Sequence, residues 1–477
     1  MKGSLNKGLF TYLFLFLGLV VAVALVLACI LLFSPGTEIF GITFVSYKNV
    51  YKIKTLDGDD KVLYVDGNGN QVEYSQNPTY LNMQSLYKLK ITANNFDIAV
   101  KTGDLSFIEI EDNISAFSKA KDAHDTTVTK HYNALTNTFE IVINDTNYSL
   151  KFKNNRVVNI FLNEEDYSYL NLDLTTKNGN ISLGGSDSIE FKNHKIASVK
   201  ANVENGDIVL SKYIKFNDIL GVVELHTNKG NVTLADDLEN NMLKLLDVKV
   251  GDGKLTSGNL QTLTFNLEGS NIKGEIGNVT GDLNLKTKAG VLNIGNVTGN
   301  IADVDEKVEN VKLTTGIVTG SVTIAKATGA DLTFEAVLKE VLIKTEDGNV
   351  TIKNLGSKAD ITTTSGDVSL LVSETNVKHV VVNSEKGDVK LFLQRINGDN
   401  LVNTKGNVTV NYKEGLVFKL VVKAKKIEFK NENIVKEDQT VTGYPGVNDS
   451  EVVTSDNLTV NSEKTVTVNK SATIKWN

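Results

Sequence analysis

The phrase ITTTSGDVSLLV at residues 361–372 returns in close variants: LTTKNGNISL from Leu174, LHTNKGNVTL from Leu225, IKTEDGNVTI from Ile343 and VNTKGNVTV from Val402. Its pattern is aliphatic, x, aliphatic, x, Thr or Ser, x, x, Gly, Asp or Asn, aliphatic, x, aliphatic. Period-two alternation places Leu172, Leu174 and Thr176 on one face, and Ile181 with Leu183 on one face after the turn. The same holds for Val223, Leu225 and Thr227 with Val232 and Leu234, and for Val341, Ile343 and Thr345 with Val350 and Ile352. Between the two strands the chain changes direction. Gly supplies a backbone angle that other residues resist, and the following Asp or Asn bonds nearby backbone groups. The phrase therefore reads as a structural corner, not a catalytic loop.

The clearest corner glycines are Gly179, Gly206, Gly230, Gly281, Gly348, Gly366, Gly387 and Gly406, with weaker copies at Gly253 and Gly320. Clear neighbours lie roughly 18–28 residues apart, a solenoid period. The expected fold class is all-β: an elongated β-solenoid, β-helix-like, with an N-terminal transmembrane helix. An antiparallel sandwich with Asn-Gly turns is the structural rival. Stacking is preferred because the copies match in both strands and in the corner, so that each rung covers its neighbour's open edge. Composition agrees: 37 Gly, 3 Pro and 7% aromatics favour strands with many tight turns over long helices.

Leu9 to Phe33 is uncharged and long enough to cross ~30 Å of hydrocarbon as a helix. Lys2 and Lys7 precede it and Glu38 is the first charge after it, which places the N-terminus inside and the C-terminal domain outside. Ser34-Pro35-Gly36 reads as the helix stop. The expectation is a single-pass cell-membrane protein with an extracellular C-terminal domain, anchored through Leu9 to Phe33. A cleaved signal, or lipidation of Cys29 in VLAC, are the alternatives.

The expected organisation is a cytoplasmic tail at 1–8, the transmembrane helix at 9–33, a membrane-proximal β segment at 34–85, the solenoid at 86–430 and a C-terminal β cap at 431–477. Within 34–85, KVLYVDGNGNQVEY reads as a hairpin around Asp66-Gly67-Asn68-Gly69. A calcium loop would require Gly and Glu where Gln71 and Asn77 stand. Residues 115–140 are polar and aperiodic, and read as a long loop or an insertion between rungs. The stretch 295–340 is irregular, and from Lys425 the Gly-Asp phrase is lost although alternation persists.

Net charge is −7 with charges scattered, so nothing points to nucleic acid. Cys29 is the single cysteine, which excludes an intramolecular disulfide and a cysteine metal cluster. The histidines His124, His131, His194, His226 and His379 lack metal-ligand spacing. His124 and His131 share one polar loop and read as solvated. No nucleophile elbow or phosphate loop occurs. Asp207, Asp282, Asp367 and Asp388 recur as clustered catalytic carboxylates would, yet each occupies the corner position. No residue is therefore singled out as catalytic, cofactor-binding or metal-binding. The sequons at Asn231, Asn349 and Asn407 arise from the corner phrase itself.

TTTSGDVSL, together with an early ITANNFDIAV strand, a polar insertion and VVNIFLNEEDYSYLNLDLTTKNGNISL, resembles the bacterial putative adhesin family. This is a domain of unknown function built from Gly-Asp-Val-x-Leu strand repeats. The resemblance covers about residues 86–430 and departs at Phe96, where a corner Gly is expected, and at 295–340. It implies an extended β-helix-like domain displayed from the cell envelope, here membrane-anchored, and carries no catalytic residues. The expected function is a surface interaction or adhesin-like protein, not an enzyme, without cofactors. Its expected partners are the membrane and a protein or glycan surface ligand. The alternatives are a membrane-anchored envelope-stress sensor or regulator and, third, a surface glycan-active enzyme.

Overall fold

Along Leu170–Asn178 every second side chain is buried until the corner, and Ile181–Leu183 repeats the alternation beyond it. The computed structural model describes residues 4–32, 38–39, 42–54, 62–65, 71–74, 87–103, 106–119, 126–133, 135–145, 150–162, 170–184, 196–211, 221–237, 242–373, 379–431, 434–443 and 456–472. It divides into two compact units, Met1–Asp166 and Tyr167–Asn477.

In the first unit, Phe107–Lys119 pairs antiparallel with Ile42–Lys54 on one side and with Leu150–Leu162 on the other. Asp97–Thr102 joins Leu150–Leu162 in parallel, and Lys88–Ala93 runs parallel to Thr138–Asn144. Val62–Val65 pairs antiparallel with Gln71–Tyr74, as the hairpin reading expects. Its turn, 66–70, lies outside the described residues, as do Ser34-Pro35-Gly36, His124 and His194. The expected loop at 115–140 is corrected for its described part. Thr127–Asn133 is a strand antiparallel to Thr138–Asn144, and 115–119 ends another strand. Among its described side chains Thr127–Asn133 is largely exposed, and none is buried so as to impose apolar alternation.

The helix Ser4–Leu32 opens the chain. Its side chains are described without a break only from Phe14 to Val26. Among the described residues no helix is long and apolar enough to cross a membrane. The expected transmembrane helix is corrected on that finding. With it go the membrane-anchored form of the family, the single-pass topology with its extracellular domain, the membrane as partner and the envelope-anchored function. The side chain of Leu9, and Phe33 altogether, lie outside the described residues.

The second unit is a stack of parallel strands. One ladder runs through Ile343, Ile361, Val382, Val402, Val460 and Val422, each opposite the next. A second runs through Val350, Val368, Val389, Val408, Val466 and Ile427. All twelve are buried, and at about 25 cal/mol per Å² their stacking supplies much of the driving force. The irregular stretch belongs to the same stack, as Ile301–Glu309, Val311–Val318, Val322–Thr328 and Asp331–Val337. Its register slips where Leu285 and Thr287 face Asp303 and Val308, beside Asp305 with φ 57°. A bulge there hides the period.

The C-terminal end departs from chain order. Asn457–Ser462 and Thr465–Ser471 insert between the 399–413 rung and Lys419–Phe429. Ile434–Gly443 then pairs antiparallel with the outer edge of Lys419–Phe429. Of the expected cap at 431–477, the antiparallel strand covers an edge, whereas the last strands are an interior rung. Residues 444–455 lie outside the described residues.

Candidate functional site

The corners are built between rungs. The backbone N–H of Asp207 donates to Asn180 Oδ1 (2.8 Å), that of Asn231 to Asp207 Oδ1 (2.7 Å) and that of Lys254 to Asn231 Oδ1 (3.0 Å). Further along, the N–H groups of Asn349, Asp367, Asp388 and Asn407 donate to the side-chain oxygens of Asp331, Asn349, Asp367 and Asp388 in turn, at 2.7–2.9 Å. Asn300 does the same to Asp282 (2.8 Å). Asp and Asn therefore perform one task, accepting a backbone N–H from the next rung. A second series absent from the sequence reading runs through Asn259, Asn278 and Asn296.

The glycines have two reasons for being glycine. Gly206, Gly230, Gly281 and Gly348 have positive φ, at 149°, 148°, 114° and 108°. Gly366, Gly387 and Gly406 do not fall in that set. At these three a Cβ would lie 1.8, 2.0 and 2.3 Å from the carbonyl oxygens of Gly348, Gly366 and Gly387, respectively. The carbonyl of Gly179 likewise stands 2.1 Å from where a Cβ on Gly206 would sit.

In front of the last of these corners lies a groove of about 660 Å³. Its floor is one outward column, Thr362, Asn383, Asn403, Asn461 and Lys423, set side by side by the strand register. These residues face out because their neighbours Ile361, Val382, Val402, Val460 and Val422 are buried. Asn403 Nδ2 donates to Asn383 Oδ1 (2.9 Å), and Asn461 Nδ2 donates to Asn403 Oδ1 (2.8 Å). Behind the column, Thr404 Oγ1 donates to the carbonyl of Gly387 and Ser462 Oγ to that of Gly406, both at 2.7 Å. Thr364, Glu385, Lys405 and Glu463 form the rim, with Lys405 Nζ 3.6 Å from Glu385 Oε1. The inserted C-terminal rung supplies Asn461, Ser462 and Glu463, so the groove needs it.

The expected site residues are brought together only in part. Gly366, Gly387 and Gly406 stand behind the groove, whereas Gly179, Gly206, Gly230, Gly281 and Gly348 belong to other rungs. His379 Nδ1 bonds the carbonyl of Asp399 (2.7 Å), and His226 Nε2 lies 3.8 Å from Asp247 Oδ1. Burial tends to raise the Asp247 carboxyl, but the adjoining His226, Lys249 and Lys200 outweigh it and hold its pKa below the ordinary value. Among the described residues no three His, Cys, Asp or Glu side chains are placed to hold a metal ion. Sequence reasoning missed Asn383, Asn403 and Asn461. The signal was there, in VNS at 382–384, VNT at 402–404 and VNS at 460–462.

Fold and groove together define a class: a parallel β-stack with a polar recess across its strands. The family described as Toastrack DUF4097 matches residues 254–456, less than half of the 477 residues. No curated protein matches. Among solved structures, a putative cell adhesion protein from Clostridium sporogenes ATCC 15579 is 10% identical, with a TM-score of 0.15, covering 81% of this chain and 94% of its own. A putative adhesin from Bacteroides fragilis NCTC 9343 is 9% identical, with a TM-score of 0.18, covering 81% and 92%. At these scores neither likeness bears on fold or function.

Proposed function

We propose that the chain is a non-catalytic binding scaffold whose parallel stack offers the groove at Thr362, Asn383, Asn403, Asn461 and Lys423 to a macromolecular ligand. The observation that carries this reading is the division of labour among polar groups. Corner carboxylates and amides spend an oxygen on the next rung's backbone, whereas the groove column faces outward across five neighbouring strands. General acid–base chemistry requires a carboxyl within reach of substrate and free to exchange a proton. Corner positions that use Asn and Asp alike do not meet that demand.

The test is to incubate the full chain with surface polysaccharides and peptides, following both retention and product formation. Retention without cleavage is the expected result. Cleavage that disappears when Asp207, Asp282, Asp367 and Asp388 are changed together to Asn, with circular dichroism unchanged, would replace this reading with an enzyme acting on glycans.

A further inference from the structure

We infer that the groove's ligand is a neutral, hydroxyl-rich chain, an uncharged glycan, laid along the asparagine column across the strands. The inference rests on the binding-scaffold reading and adds the chemical class of the ligand.

Three asparagines occupy consecutive rungs about 4.8 Å apart. A carboxamide has two N–H donors and an oxygen with two lone pairs. At Asn403, the middle of the column, one N–H goes to Asn383 and one lone pair receives Asn461. One donor and one acceptor remain for a ligand at Asn403, and at least as many at Asn383 and Asn461, which each make one bond within the column. A hydroxyl both donates and accepts and so matches such a row at each repeat. Phosphate, sulfate and carboxylate only accept, whereas ammonium and guanidinium only donate, and each leaves half of the row unmet.

Charge points the same way. The lining holds two carboxylates, Glu385 and Glu463, and two ammonium groups, Lys405 and Lys423. Glu385 and Lys405 already face one another. A polyanion or a polycation would meet repulsion as well as attraction, whereas a neutral chain meets neither. The threonine methyls and the methylenes of Lys and Glu in the lining offer apolar surface beside the amides, as the C–H faces of a sugar require. The lining has no aromatic ring on which a sugar could stack, so affinity per groove is expected to be weak, and gained by repeated contacts. An extended peptide has the right mixture of donors and acceptors, but it gains most by adding to an open strand edge. The floor strands are paired on both sides.

The experiment is calorimetric titration of the full chain with neutral linear oligosaccharides (glucan, mannan, galactan and N-acetylglucosamine series). Polygalacturonate, heparin and a neutral Ser/Asn peptide serve as rival probes. Two variants accompany the wild type: Asn403→Leu, which removes the central amide, and Thr362→Arg, which fills the groove, each checked by thermal unfolding. Saturable binding of one neutral series is expected, weakened about tenfold or more in both variants. Binding of a polyanion or the peptide instead, with the same sensitivity to the variants, would overturn the ligand class and leave the scaffold reading standing. Neutral-glycan binding that ignores both variants would overturn the assignment to this groove. Cleavage of the bound glycan would overturn the scaffold reading itself. Absence of binding by every neutral series at millimolar concentration would overturn the inference.

Discussion

A Cβ built at Gly366 would stand 1.8 Å from the Gly348 carbonyl oxygen, and one at Gly387 would stand 2.0 Å from that of Gly366. Both are backbone atoms of a neighbouring rung and cannot rotate away. Gly366→Ala should therefore destabilise by about 1–3 kcal/mol, the usual range for overpacking. Exposed Lys386→Ala should stay within ~0.5 kcal/mol. Equal urea midpoints for the two variants would sink the steric argument. The corner acid is a separate matter. Asp388 Oδ1 accepts the N–H of Asn407, a bond that an amide keeps and a methyl loses. Asp388→Ala should cost about 0.5–1.5 kcal/mol and Asp388→Asn almost nothing; the reverse order in thermal unfolding would mean the charge itself matters. The corner was legible because Gly and Asp or Asn recur at one point of a repeated phrase. Its steric cause was not, since the clashing atom belongs to a different repeat.

Among the elements, the strands with one buried face were read from alternation, and the edge strand Thr127–Asn133 was not. The residues that follow from its placement were missed too. Arg156 lies opposite Asp112 across two antiparallel strands and is buried. Its Nε donates to Asp112 Oδ1 (2.7 Å), Nη1 to Asp145 and Nη2 to Thr126 Oγ1 (2.8 Å), while its guanidinium stacks 4.2 Å from the centre of the Phe96 ring. Phe96, the departure from the Gly pattern, is thus a platform for a buried cation. Arg156→Ala would leave two buried carboxylates without their cation, Asp145 keeping the neutral amide of Asn95, and should cost about 3–5 kcal/mol. Arg156→Lys should recover little, because an ammonium cannot reproduce the three-way fork. Full recovery by Lys in denaturant titration would show that charge alone suffices. At the far strand, Glu428 sits 2.6 Å from Lys426 Nζ and 2.9 Å from Lys430 Nζ. These two bonds, that of Lys426 first, lower its pKa from 4.5 to about 2. A lowered folded pKa gives stability that is present above 4.5 and lost as pH falls toward 2. Glu428→Gln should flatten this part of the pH profile, an effect kept small by solvent screening. Identical slopes between pH 5 and 2 would discount the pair.

At the scale of the whole molecule, sequence order and spatial order part company at the C-terminus of the second unit. VNSEK at 382–386 recurs at 460–464, so membership of the last rung in the stack was legible. Its position was not, because nothing local says that 457–471 lies inside Lys419–Phe429. The choice follows from pairing: Val460 meets Val402 on one side and Val422 on the other and is fully buried. A stack of this kind is held by nearest-neighbour contacts, so damage should spread outward from the inserted rung and fade within the unit. Val460→Asp buries a charge without a partner in that rung. Hydrogen exchange should then show lost protection at 399–404 and 419–424, the two strands it separates. Protection at 341–345 and 350–355, several rungs away, should remain close to wild type. Protection lost evenly along the unit would mean that it unfolds as one cooperative block. Loss confined to 457–471 itself would mean that the outer strands do not depend on the insertion, and that the groove's far wall stands without it.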